Sequence, residues 1–165
     1  MRKPAAYLFI LALSLPAFEW QGGVPDFSLR NTDNELVSYS ELKGENLTVI
    51  DFWATWCKPC ISSMPRLVEL YAEYRDQGVE FIGISVDSPR NLSKVKPFSS
   101  SLGITYPVLL DSNSELMGEL NVTAVPTLII IDKNDRIVDM REGFHAGDEE
   151  IIRQEIEKYL KETRQ

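Results

Sequence analysis

At 165 residues, 44% of them hydrophobic, with nine glycines and nine prolines, the chain has the make-up of one compact domain and not of a disordered segment. Its formal net charge of −8 argues against nucleic-acid binding, since an acidic surface repels phosphate backbones, and solubility alone accounts for the acidity. Two cysteines and one histidine are too few for a four-ligand structural zinc site within one chain.

The N-terminus reads differently from the rest. Arg2 and Lys3 precede the apolar run AAYLFILALSL, Ala5 to Leu15, which Pro16 and Ala17 then break. This is the layout of a secretory signal, and the run is short for a membrane span. Leu15-Pro16-Ala17 is not a small-x-small cleavage triplet, and no cysteine offers a lipid attachment point. Residues 1–17 therefore read as a signal peptide or a retained N-terminal membrane anchor, ahead of a domain over 20–165, and the location as periplasmic or otherwise extracytoplasmic. Without the leader, which carries two positive charges and no acidic ones, the formal charge goes from −8 to −10.

Next, VPDFSLRNTDNELVSYSELKG alternates short apolar stretches around the turn signal Asn31-Thr32-Asp33-Asn34, which predicts a hairpin at a sheet edge. NLTVIDFWAT is nearly continuous apolar sequence, as in a central strand covered on both faces. From Cys57 the apolar positions Ile61, Met64, Leu67, Val68 and Tyr71 recur at helical spacing until Gly78. VEFIGISVD is a second buried strand, so this unit is βαβ and its strands should be parallel. The stretch from Asp87 to Pro126 is too long for one crossover helix. It holds a helical candidate near Asn91 to Leu102, an extended TYPVLLD and a second helical candidate, SELMGEL. PTLIIIDKNDRIVDMREG reads as an antiparallel hairpin turning at Asp132 to Arg136. A final helix from about Asp148 to Thr163 puts Ile151, Ile152, Ile156, Tyr159 and Leu160 on one face, with acids at its start and Lys158 and Lys161 at its end. The sum is an α/β fold, a mixed sheet with helices on both faces.

Both cysteines sit in one window, FWATWCKPCISSMP, separated only by Lys58 and Pro59. Two cysteines so spaced can close a small disulfide at a helix start, where the first sulfur faces solvent and unbonded N–H groups. The positive helix end favours a thiolate, and the thiolate is the species that attacks disulfides. Cys57 is thus the expected nucleophile and Cys60 the resolving partner. Pro59 is tolerated because an early helical position has no intrahelical N–H bond to lose. Lys58 either tunes the pair toward the thiolate form or is a solvated side chain of small effect. Haem attachment would need histidine after the second cysteine, where Ile61 stands, and a structural staple across so short a loop removes little chain entropy.

Asp51 is a carboxylate within the apolar run TVIDFWA. Strand alternation puts it on one face with Val49 and Trp53, opposite Ile50 and Phe52. If that face lies beneath the helix begun at Cys57, burial raises the pKa of Asp51 and suits it to exchange a proton with Cys60; the alternative is a strand-end polar residue reaching water. A third feature is AVPT, Ala124 to Thr127, just ahead of the apolar LIII. Sequence alone does not assign the isomer of its proline.

DFWATWCKPC, the later VPT and the strand-helix order between them resemble the thioredoxin superfamily. With the leader, the N-terminal hairpin and the inserted helix-strand segment, the chain is similar to the exported TlpA/ResA-like thiol-disulfide oxidoreductases over about Val24 to Leu160. The resemblance implies a thioredoxin fold in which Cys57 attacks, Cys60 resolves, and Pro126 is a cis proline packed against the disulfide. It further implies that the backbone of Val125 binds an extended substrate segment and that Trp56 shapes the contact surface. Asp51 matches the buried aspartate of thioredoxins, while the position of the lysine near that aspartate falls at Gly83, and Lys58 reverses the acidic residue some relatives carry between their cysteines.

The expected activity is an exported protein thiol-disulfide oxidoreductase that reduces disulfides of envelope proteins, with cytochrome c maturation as one setting. Its cofactor would be none beyond the Cys57–Cys60 disulfide, and its site would hold no metal. No flavin or nicotinamide fingerprint is present, so a membrane partner would supply electrons. Two rivals stand beside it: a thiol peroxidase of the same fold, which lacks the Pro and Thr context of a lone peroxidatic cysteine, and a Cu(I)-binding module built on the two thiolates.

Overall fold

The computed structural model describes residues 23–163. The leader or anchor read at 1–17 lies outside them. Near their start, β1 (Ser28–Asn31) and β2 (Leu36–Ser38) form the expected antiparallel hairpin, with Leu29 opposite Val37. Asn31 builds its turn, accepting the N–H groups of Asp33 at 2.8 Å and Glu35 at 3.0 Å through Oδ1. A short helix not foreseen from the pattern follows, α1 (Tyr39–Leu42), started where the Ser38 N–H donates to the Glu41 carboxylate at 2.8 Å. Its signal was the Ser-x-x-Glu spacing of a capping box.

The continuous apolar run becomes β3 (Leu47–Trp53), buried at every position. It has no free edge: β4 (Val79–Ser85) lies parallel on one side and β6 (Thr127–Asp132) antiparallel on the other. Between β3 and β4 runs α2 (Lys58–Tyr74), continuous through Pro65 and closed by a 3-10 turn and by Gly78 at φ 76°, a left-handed cap that glycine adopts without strain. The inserted segment supplies α3 (Leu92–Ser101) and β5 (Val108–Leu110), the latter parallel to β4. After α4 (Glu115–Glu119) and β6 come β7 (Ile137–Glu142) and α5 (Asp148–Thr163).

One seven-stranded sheet results, in the order β2-β1-β5-β4-β3-β6-β7, with the hairpin added at an edge of the sheet as expected, and there joined to β5. Period-two alternation divides the core. Leu47 and Val49 of β3 pack with Leu67 and Leu70 of α2 and with Ile152, Ile156 and Leu160 of α5. Ile50 and Phe52 point to the other face, against Tyr39 of α1 and Leu116 of α4. Farther along the α2 face, Trp53 packs with Cys57, Cys60 and Met64 and with Val95 of α3. One position of α5 corrects the sequence reading: Ile151, expected on the apolar face, is 41% exposed, because the buried stripe follows Ile152, Ile156 and Leu160 only. Among the described residues no helix is long and apolar enough to cross a membrane.

Candidate active site

The end of β3 delivers the chain into α2 through Ala54, Thr55 and Trp56, and Cys57 is the N-cap of the helix. Its extended backbone, φ −85° and ψ 100°, turns the side chain back over the first turn, where Sγ accepts the Cys60 N–H at 3.2 Å. That N–H is one of those a helix start leaves without an intrahelical partner. The Cys57 N–H in turn donates to the Ala54 carbonyl at 3.1 Å. Cys57 and Cys60 are joined as a disulfide with their Cα atoms 5.3 Å apart.

The expectation of a solvent-facing first sulfur needs correcting. Cys57 is only 4% exposed against 0% for Cys60, so the order of access is the expected one but the bridge is largely covered. Their shared cluster explains this, since Trp53, Met64, Val95 and Val108 are buried around them, with Phe98 and Val125 packed alongside. Lys58 and Pro59 are the first two residues of α2, both exposed. Trp56 presents its ring to solvent at 62% exposure beside the covered bridge.

Asp51 lies on β3 between Val49, which packs under the middle of α2, and Trp53, which packs under its first turns. Its cross-strand neighbours are Gly83 on β4 and Leu128 on β6, neither of which brings a cation. The carboxyl is 2% exposed, and its Oδ2 has no hydrogen-bond partner. Burial without compensation disfavours the charged form, which raises its pKa from 3.8 to about 7. A side chain at Gly83 would be crowded: its Cβ would lie 3.2 Å from Cε2 of Tyr106 and 3.3 Å from Nε1 of Trp53, so these buried rings would have to give way by a few tenths of an ångström. The Tyr106 hydroxyl donates to Met64 Sδ at 3.3 Å, and burial together with the nearby Asp51 pushes its phenol well above the ordinary value. Tyr106, supplied by the inserted segment, thus occupies the space that a side chain at position 83 would enter.

The Val125–Pro126 peptide bond is cis. Pro126 is buried, and its carbonyl accepts the Gly143 N–H at 2.7 Å, while the Thr127 hydroxyl donates to the Ala124 carbonyl at 2.8 Å. The Thr123 hydroxyl donates to Glu142 at 2.7 Å, fastening the start of the same loop to β7. Val125 packs against the cluster that holds the disulfide.

Asp87, just past β4, escaped the sequence reading. It is fully buried and grips Thr55 twice, accepting the hydroxyl at Oδ1 (2.6 Å) and the N–H at Oδ2 (2.8 Å). Only its place at the end of an apolar strand hinted at it, because its partner is 32 residues away. Among the described residues, no group of three or more His, Cys, Asp or Glu side chains is arranged to hold a metal ion.

The AhpC/TSA family profile matches residues 21–140. The thiol-disulfide oxidoreductase ResA of Bacillus anthracis is 33% identical over 137 residues, 83% of this chain and 74% of the relative. ResA of Geobacillus kaustophilus is 32% identical over 136 residues, 82% and 73% of the two chains. Among solved structures, an uncharacterized thioredoxin-like protein of Porphyromonas gingivalis superposes with a TM-score of 0.71 at 35% identity, covering 84% of this chain and 92% of that one. A protein of Chlorobium tepidum, provisionally assigned as the thiol:disulfide interchange protein DsbE, does so with a TM-score of 0.76 at 27% identity, covering 84% and 95%. The mixed sheet and flanking helices are those of the thioredoxin fold.

Proposed function

The chain belongs to the AhpC/TSA family and is a protein thiol-disulfide oxidoreductase, and on that premise we propose that it reduces disulfides of proteins outside the cytoplasm. The observation that carries this reading is the Cys57–Cys60 bridge at the start of α2, above a strand face whose one carboxyl, Asp51, is buried without a cation.

In the dithiol form, the Cys57 thiolate attacks one sulfur of a substrate disulfide; a mixed disulfide forms and the first substrate thiolate leaves. Cys60 then gives its proton to the Asp51 carboxylate and attacks Cys57 Sγ, so that the second substrate thiolate leaves and the Cys57–Cys60 bridge closes. Two electrons pass to the substrate, which takes up two protons. With a pKa of about 7, Asp51 can hold or release a proton near neutrality.

The same carboxyl supports the reducing direction. A buried anion with no counter-charge opposes a second negative charge on a nearby sulfur, which favours the closed bridge and makes the dithiol a ready electron donor. Lys58 acts oppositely, but from water, where its effect is screened. The Val125 main chain, beside the cis proline, receives an extended substrate segment as an added strand would, and the exposed Trp56 ring contacts its apolar side chains.

The leader or anchor at residues 1–17 puts the domain on the outer side of the cytoplasmic membrane, where a membrane donor returns its electrons. Apocytochrome c is the first envelope substrate to test. The experiment is reduction of insulin disulfides by the reduced protein. Turnover by wild type with none in Cys57→Ser is the expected result; no turnover by wild type, or rapid peroxide consumption in its place, contradicts the proposal.

A further inference from the structure

We propose that Asp87 is a positioning residue for disulfide exchange: its buried carboxylate clamps Thr55 and thereby holds Cys57 at the N-terminus of α2. The inference rests on the thiol-disulfide reading above and adds a residue to it.

The carboxylate is 0% exposed, and none of the ion pairs among the described residues includes it. A charge in such a place is tolerated only through strong hydrogen bonds. Two of its three side-chain bonds come from Thr55, and the third from the Ser85 hydroxyl at 3.0 Å. Ser85 Oγ also accepts the Asp87 N–H at 3.2 Å, and the Val86 N–H donates to the Trp53 carbonyl at 2.9 Å. The ends of β3 and β4 are thus stitched together at the point where the chain leaves for the helix.

Thr55 is the middle of that exit. On one side is Ala54, whose carbonyl takes the Cys57 N–H; on the other is the exposed Trp56. Fixing the Thr55 N–H and hydroxyl together sets the direction in which the turn enters α2. That direction keeps Cys57 Sγ over the Cys60 N–H, the donor that stabilises a thiolate once the bridge is open. If the clamp is lost, the turn can swing and the sulfur loses this donor.

Charge and position act in opposite senses here, which separates them experimentally. A negative charge near Cys57 by itself disfavours its thiolate, so removing only the charge would speed attack by Cys57. Removing the clamp would slow it. Asp87→Asn removes the charge but can keep the clamp, its amide oxygen accepting from the Thr55 N–H and its amide nitrogen donating to the Thr55 hydroxyl. Asp87→Ala removes both.

The test measures the rate constant for alkylation of Cys57 by iodoacetamide at pH 7 in the reduced full chain, with circular dichroism as a check that each variant is folded. Asp87→Ala is expected to react about tenfold more slowly than wild type, as the loss of a donor to the thiolate predicts, and Asp87→Asn within about twofold of wild type. Should Asp87→Ala not fold, Thr55→Val is expected to slow alkylation about threefold or more and Thr55→Ser to restore it. A clamp-breaking variant that alkylates as fast as wild type, or Asp87→Asn slowed as much as Asp87→Ala, overturns the proposal. A wild-type Cys57 no more reactive than an ordinary free thiol instead defeats the oxidoreductase reading beneath it.

Discussion

Two buried carboxyls, Asp51 in the middle of β3 and Asp87 at the end of β4, are equally shielded from water yet differ in everything else. Asp51 lies between Gly83 and Leu128 with Oδ2 unpartnered, whereas Asp87 is held by three side-chain bonds from Thr55 and Ser85. Burial sets the stakes for both, and the donors within reach decide the outcome. A carboxyl starved of donors becomes a group that can change its proton near neutrality. One saturated with them becomes a fixed point of the fold. The first lies beneath the helix that carries the cysteine pair and the second beside its entry.

The contrast predicts substitutions of opposite sign. The Asp51 carboxyl, with a folded pKa of about 7, keeps its proton over a range where the unfolded chain has lost it. The contribution of this group to wild-type stability therefore falls as pH rises from about 4 to about 7 and levels off above that. Asp51→Asn removes this loss, and urea unfolding should find it more stable than wild type by about 4 kcal/mol at pH 8 and by nearly nothing at pH 4. An advantage that does not grow with pH would break the comparison. Asp87→Ala strands two donors of Thr55 and should cost about 3 kcal/mol in the same assay. A neutral result there would mean that the clamp is idle. Smallest is Gly83→Ala, which tests why Asp51 has no cation: its Cβ must push on the rings of Tyr106 and Trp53, at a cost of about 1–2 kcal/mol in melting experiments. If alanine is accommodated without loss, the space beside Asp51 is not closed as described.

What the sequence disclosed follows from the range of the signals. The cysteine pair, the order of strands and helices, and the odd carboxylate in TVIDFWA are local features, and strand alternation correctly put Asp51 with Val49 and Trp53 on the α2 face. The cis bond before Pro126 was implied by resemblance alone, because an X-Pro pair does not declare its isomer. Tyr106 and Asp87 were unreadable for a different reason. Each acts on a partner brought close only by the sheet, Tyr106 on the face of Gly83 and Asp87 on Thr55. The cover over Cys57 was missed likewise, since Val95 and Phe98 come from the inserted helix α3. Ile151 shows the limit of periodicity itself: of two adjacent apolar residues at the start of α5, Ile152 faces the core and Ile151 lies beyond the edge of the buried stripe.

The division of labour between the two sulfurs can be read from a trapped intermediate. When the reduced Cys60→Ser variant is mixed with a disulfide-containing protein, it should retain that protein as a mixed disulfide through Cys57, visible as a mass adduct that dithiothreitol releases, while reduced Cys57→Ser retains none. Capture through Cys60 in place of Cys57, or no adduct in either variant, would contradict the account.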